Sequence, residues 1–239
     1  MKPDTFIFAD LSTYSPKDSM AFYESAFGWT FYKDNDYYLA YNGNSPIAGL
    51  YETPDKFKTM GMPHFWMSYI QVNDIAQTVE KARSLGGIIE MQQGLGSFGK
   101  VALIRDPQGA GFTVYQGDQL QATRTENQAN TLIWNELHIS EAKDIIPFYE
   151  GIFDWTFRKS SNDQFNIYSQ DTTHIADTLV IPNAYKGKYE YWVCTFGVSN
   201  VKATQQLIID LGGTLVSEEA QRSLMADPSG EAFFYIKQV

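Results

Sequence analysis

Cysteine is nearly absent from this chain. Cys194 is the only one in 239 residues, so no disulfide can form within the chain and a disulfide scaffold is excluded. A lone thiol fits a reducing compartment, and the cytoplasm is the expected location. Histidine is scarce at three residues, and basic charge is outweighed, with 18 Lys and Arg against 28 Asp and Glu. The resulting net charge of −10 argues against a nucleic-acid partner or an anionic membrane, both of which favour a basic face. Long hydrophobic runs are missing too. The apolar stretch Phe6–Ala9 ends at Asp10, too short for an export signal, and nothing approaches the ~20 apolar residues of a membrane span. A phosphate-binding glycine loop is also lacking. "GLGSFG" lies between two expected strands, not before a helix, and reads as a plain loop.

What the chain has is aromatics and repetition. Phe, Tyr and Trp make up 15% of the residues, a composition suited to strands and pocket walls. "FYESAFGWTF", beginning at Phe22, returns as "FYEGIFDWTF" at Phe148, 126 positions on and identical at seven of ten places. Leu85-Gly86-Gly87 and Leu211-Gly212-Gly213 keep that offset, as do Trp66 and Trp192. The turn "DPQG" at Asp106 recurs as "DPSG" at Asp227, 121 residues later, so the second copy is five residues shorter after its Gly-Gly. An offset held this far marks a true internal repeat. The expected division is residues 1–117, a polar linker at 118–130, and residues 131–239.

Each copy reads as two units of the form β-α-β-β-β. "TFIFADLST" alternates as a strand does. Ser15 then offers an N-cap, Pro16 a first-turn residue, and Phe22, Tyr23, Ala26 and Phe27 an apolar helix face ended by Gly28. "WTFYK", "YYLAYN" and "PIAGLY" follow as strands. The pattern restarts with "HFWMSYIQV", a helix for which Asn73 is the expected cap, a left-handed stop at Gly86, and the strands "IIEM", "KVALIR" and "GFTVYQ". The repeated phrase is thus expected to be core, and each Asp-Pro-x-Gly a type I turn.

"AFYESAFGWTF" and "PFYEGIFDWTF", the two Leu-Gly-Gly helix ends, and "DPQGAGF" and "DPSGEAF" together resemble the vicinal oxygen chelate superfamily, which includes glyoxalases, extradiol dioxygenases and bleomycin-resistance proteins. "WNELHIS" is similar to a two-domain glyoxalase-like branch whose first strand usually reads Trp-His-Glu-Leu; here Asn135 stands in place of that His. The resemblance implies an α+β fold of two tandem domains, each pairing its β-α-β-β-β units into a half-open barrel, often with a divalent metal in the concavity. Carried over residue by residue, the metal-ligand positions fall on Phe8, Gly49, Met67 and Thr113 in the first copy and on Trp134, Asp177, Val193 and Phe234 in the second. Only Asp177 is a plausible ligand, and a metal needs three or four converging donors. The expectation is therefore no cofactor, the alternative being a divalent metal at a site the sequence does not reveal.

Polar chemistry remains on the first strands. Trp134, Glu136 and His138 share a face by alternation, and Phe8, Asp10 and Ser12 are their counterparts. A carboxylate in an aromatic-lined pocket can move protons, which makes Glu136 and His138 the candidate catalytic pair. Asp10, Ser12, Trp66, Trp134, Asp177 and Trp192 are candidate ligand-binding residues, the two tryptophans serving either as an aromatic wall or as core. Three places separate His174 from Asp177, so a regular strand would point them to opposite faces. Cys194 has no cationic neighbour in sequence and is expected to be inert. The function expected is binding of a small molecule in aromatic-lined concavities without metal, by a monomer or homodimer. The alternative is a lyase, isomerase or dioxygenase-related enzyme using Glu136 and His138 or an unrecognised metal.

Overall fold

The computed structural model describes residues 2–239. The first copy runs β1 (Phe6–Thr13), α1 (Pro16–Phe27), β2 (Thr30–Asp34), β3 (Tyr37–Asn42), β4 (Ser45–Glu52), a short α2 (Asp55–Thr59), β5 (Phe65–Gln71), α3 (Ile75–Ser84), β6 (Ile88–Gly94), β7 (Lys100–Arg105) and β8 (Gly111–Gln116). The second runs β9 (Leu132–Ile139), α4 (Ala142–Ile152), β10 (Thr156–Lys159), β11 (Gln164–Tyr168), β12 (His174–Val180), β13 (Tyr191–Val198), α5 (Val201–Asp210), β14 (Thr214–Glu218), β15 (Arg222–Ala226) and β16 (Phe233–Gln238). Each copy forms one eight-stranded sheet. The orders are β2-β3-β4-β1-β5-β8-β7-β6 and β10-β11-β12-β9-β13-β16-β15-β14, the same permutation twice. Within each module the first and last strands pair in parallel, as β1 does with β4 and β9 with β12. A helical crossover makes that pairing possible. No described helix is long and apolar enough to cross a membrane.

Local signals account for most element ends. Pro16 starts α1, and Gly28 closes it at φ 69°, donating its N–H to the Glu24 carbonyl. The cap of α3 differs from expectation: it is Asp74, whose carboxylate accepts the N–H groups of Ala76 and Gln77, and not Asn73. Two adjacent capping residues compete here, and the one whose oxygen reaches the first free N–H groups takes the position.

The packed cores divide the chain differently from the sheets. One compact unit contains the residues up to Phe8 with Ser68–Ala122 and Asn135–Val193; the other contains Ala9–Met67, Thr123–Trp134 and Cys194–Val239. In the first, α3 and α4 pack in a core that holds Val79, Phe112, Phe148, Tyr149, Phe153, Trp155 and Trp192. In the second, Phe22, Tyr23, Phe27 and Trp29 pack with Trp66, Phe196 and Phe234. The repeated phrase therefore supplies one aromatic knot to each unit. Each large side chain so buried contributes about 2–3 kcal/mol relative to exposure.

The phrase also carries a polar thread. Trp192 Nε1 donates to the Tyr149 hydroxyl at 2.9 Å, and Tyr149 donates to Asp106 Oδ2 at 3.0 Å. Asp106 Oδ1 accepts the N–H groups of Gln108, Gly109 and Ala110. In the other unit Trp66 Nε1 donates to Tyr23, whose hydroxyl lies against Asp227. The aspartate of each turn thus ties a hairpin to the tyrosine of the other copy's repeated phrase. Burial pushes Asp106 up to about 6, although the Tyr149 bond and the three backbone bonds pull the other way. Burial raises Asp227 as well.

Candidate functional site

Alternation on the first strands separates core from site. Leu137 and Ile139 enter the core of their unit, so Glu136 and His138 occupy the opposite face of β9. Ala9 and Leu11 do the same in the first copy, leaving Asp10 and Ser12 on the opposite face of β1.

In the second copy strand register lines up a polar row. Arg158 on β10 pairs with Asn166 on β11, Asn166 with Asp177 on β12, and Asp177 with Glu136 on β9. Exposure falls along it, from exposed Arg158 through half-buried Asn166 and Asp177 to buried Glu136. At the buried end Glu136 Oε1 lies 3.1 Å from His138 Nε2, the two side chains being 3% and 5% exposed. One proton lies between these atoms, donated by the imidazole to a carboxylate or by a carboxylic acid to the imidazole. The Tyr191 ring tilts against His138 at 5.1 Å. Burial first, then Tyr189 and the Glu136 carboxylate, hold its phenol protonated well above the usual range.

His174 and Asp177 meet, contrary to expectation, with Nε2 2.7 Å from Oδ1. The strand is irregular where they stand: Tyr168 pairs with His174 and Ile167 with Ala176, so Ile175 is an extra residue. A bulge shifts the alternation by one place, which brings both side chains to one face. The His174 ring stacks on Tyr168 at 5.2 Å, and the Arg158 guanidinium lies over that same tyrosine at 4.3 Å. The second copy thus carries two His–carboxylate pairs on neighbouring strands. Spacing alone could not find the second pair, because the bulge leaves no mark in the residue pattern.

The first copy fills the equivalent row otherwise. The counterparts of Arg158, Asn166, Asp177 and Glu136 are Tyr32, Leu39, Gly49 and Asp10. A Cβ on Gly49 would lie 1.8 Å from the Tyr37 hydroxyl, so the phenol takes the space a side chain there would need. Tyr37 donates to Asp10 Oδ2 at 3.0 Å and stacks on Tyr51. Ser12 bonds Thr53 at 2.8 Å. Burial, then the Asp10 charge, raise the Tyr51 phenol. A cleft of about 370 Å³ opens at the end of β4, with Thr53, Lys33, Asp36, Tyr38 and Glu52 in its wall.

The remaining candidates disperse. Trp66 and Trp192 lie in the two aromatic cores, each spending its indole N–H on a buried tyrosine. Trp134 is half-buried under the Arg124 guanidinium, 4.3 Å away. Cys194 is buried in the core of its unit. Asn135, where the similar branch has histidine, is buried and donates to Ser68 at 3.0 Å. Among the positions carried over for a metal, Phe8, Met67, Val193 and Phe234 are buried side chains without an oxygen or nitrogen donor. Gly49 is covered by Tyr37, and among the described residues no three His, Cys, Asp or Glu side chains converge. This donor set does not fit a divalent metal, which needs three or four donors.

Residues 8–114 match the profile of the Glyoxalase/Bleomycin resistance protein/Dioxygenase superfamily. CFP32 of Mycobacterium bovis, whose name assigns it provisionally to the glyoxylases, is 26% identical over 95% of this chain and 92% of its own length. The anthracycline biosynthesis protein DnrV of Streptomyces peucetius is 24% identical over 74% of this chain and 67% of its own. Among solved structures, the Mn(II)-bound glyoxalase of Novosphingobium aromaticivorans superposes with a TM-score of 0.65 at 10% identity, covering 99% of this chain and 82% of that one. That likeness carries the fold: α+β, with two tandem pairs of β-α-β-β-β modules in half-barrel sheets.

Proposed function

Residues 8–114 match the glyoxalase/bleomycin resistance/dioxygenase superfamily, and we propose that the whole chain is a member and binds a small organic molecule on the inner face of its second copy. No divalent metal is held at the positions the superfamily uses for one. The observation that carries this reading is the contrast between the two equivalent rows. One runs Arg158–Asn166–Asp177–Glu136 and ends in the Glu136–His138 pair; the other is closed by Tyr37 over Gly49. A concave face with a few convergent polar groups among aromatic rings is the usual form of a small-molecule site. Native mass spectrometry and metal analysis of one freshly purified sample test it. A co-purified organic mass without stoichiometric metal supports the reading. One tightly held divalent ion per chain refutes the metal-free part.

The buried Glu136–His138 contact favours a second reading on the same site, an isomerase or lyase working by proton transfer. Glu136 as carboxylate takes a proton from a C–H or O–H of the ligand, and the protonated His138 returns one to a neighbouring atom, leaving no net oxidation. Glyoxalase turnover of methylglyoxal with glutathione, measured in chelator-treated protein, is the first assay. Turnover that survives chelation and falls by about a hundredfold or more in Glu136→Gln is the expected outcome. Turnover that needs added metal, or is unchanged in Glu136→Gln, removes this reading.

A further inference from the structure

We infer that the molecule bound on the second copy is an organic anion with a planar body, and that Arg158 is the residue that receives its negative group. The inference rests on the binding reading above and adds the ligand's chemical class.

Arg158 differs from Arg83, Arg105 and Arg222, and from Arg124, which lies over Trp134 but donates its Nε–H to the Ile133 carbonyl at 3.1 Å. Arg83 pairs with Glu80, Arg105 with Glu90, and Arg222 with Glu219. Arg222 also lies over an aromatic ring, Tyr235 at 4.2 Å, but its guanidinium is already taken. Arg158 lies over Tyr168 at 4.3 Å, and among the described residues no carboxylate pairs with it. Stacking fixes the plane of the guanidinium while leaving its N–H donors available, the state suited to a carboxylate fork.

The row behind it sets the rest of the ligand. Asn166 stands opposite Arg158, and Asp177 and Glu136 follow on the next two strands. Three strand spacings of about 4.8 Å put the backbones of Arg158 and Glu136 about 14 Å apart. Carboxylates at the inner end repel a second negative charge there, so the buried end of the ligand carries a hydrogen-bond donor or an acidic C–H. The rings of Tyr168, His174 and Tyr191 edge the path, and flat faces favour a flat body. In the first copy Tyr32 occupies Arg158's place, so the first copy's row lacks this anchor.

The test compares 4-hydroxybenzoate with 4-hydroxybenzamide, two probes of one shape and different charge, titrated into the full chain and read from the ring signals of Tyr168 and His174 by NMR. The benzoate is expected to bind about tenfold more tightly than the amide at low salt. That preference is expected to vanish in Arg158→Gln, to shrink as salt rises, and to survive in Arg83→Gln, which removes an arginine outside the row. Equal binding of the two probes, or a preference kept by Arg158→Gln, overturns the anion anchor and leaves the binding site standing. Absence of binding by both overturns the two readings together.

Discussion

Replacing Asp106 by Asn should change how stability depends on pH, with a sign that follows from the burial of its carboxyl. The carboxyl is buried and is raised from 3.8 to about 6, chiefly by desolvation. The folded state therefore holds the proton more tightly than the unfolded chain. The group's stabilisation is fully present below pH 3.8 and is lost as pH rises through about 6. At about 1.4 kcal/mol per unit, a shift of about two units amounts to about 3 kcal/mol. Asn cannot titrate, so this loss disappears in the variant. Asn has its own cost: its oxygen is held by three backbone N–H groups, so its NH₂ faces Tyr149, which must then redirect its proton. That mismatch costs about 1–2 kcal/mol at every pH. Urea unfolding of both proteins between pH 4 and 7 separates the two effects. The stability of Asp106→Asn relative to the parent should rise by about 2 kcal/mol across that window, from a deficit at the acid end. A difference that stays constant with pH refutes the account of Asp106 as a desolvated acid.

Other consequences are smaller in scope. Gly49→Ala should destabilise by about 2 kcal/mol or more, because the new methyl group meets the Tyr37 phenol. Combined with Tyr37→Leu, the loss should be well below the sum of the single effects in a double-mutant cycle; strict additivity would show that the phenol does not fill that space. Tyr37→Phe should cost about 1–3 kcal/mol by removing a hydrogen bond from the buried Asp10 carboxylate, as read from thermal or urea unfolding. Asp74→Ala should cost about 1 kcal/mol and Asn73→Ala only a few tenths, since the Asp74 side chain makes the cap bonds of α3.

Much of the fold could be read directly. Repetition of "FYE" and "DWTF" or "GWTF", alternating strands, Pro16 and Gly28 are local signals, and they placed the elements of both copies. The same local reasoning erred at α3, where Asn73 and Asp74 are equally good caps in isolation. It also erred at β12, where the bulge at Ile175 brings His174 to Asp177.

The sequence by itself determined the tandem repeat, the modules and the inward alternation of Glu136 with His138, because each follows from periodicity along one strand or helix. Tertiary structure alone decided that Tyr149 reaches Asp106, and that Tyr37 closes over Gly49. It alone lined up Arg158, Asn166, Asp177 and Glu136 in one row. These are relations between strands and helices far apart in the chain. They are set by register and packing, for which a single sequence carries no local mark.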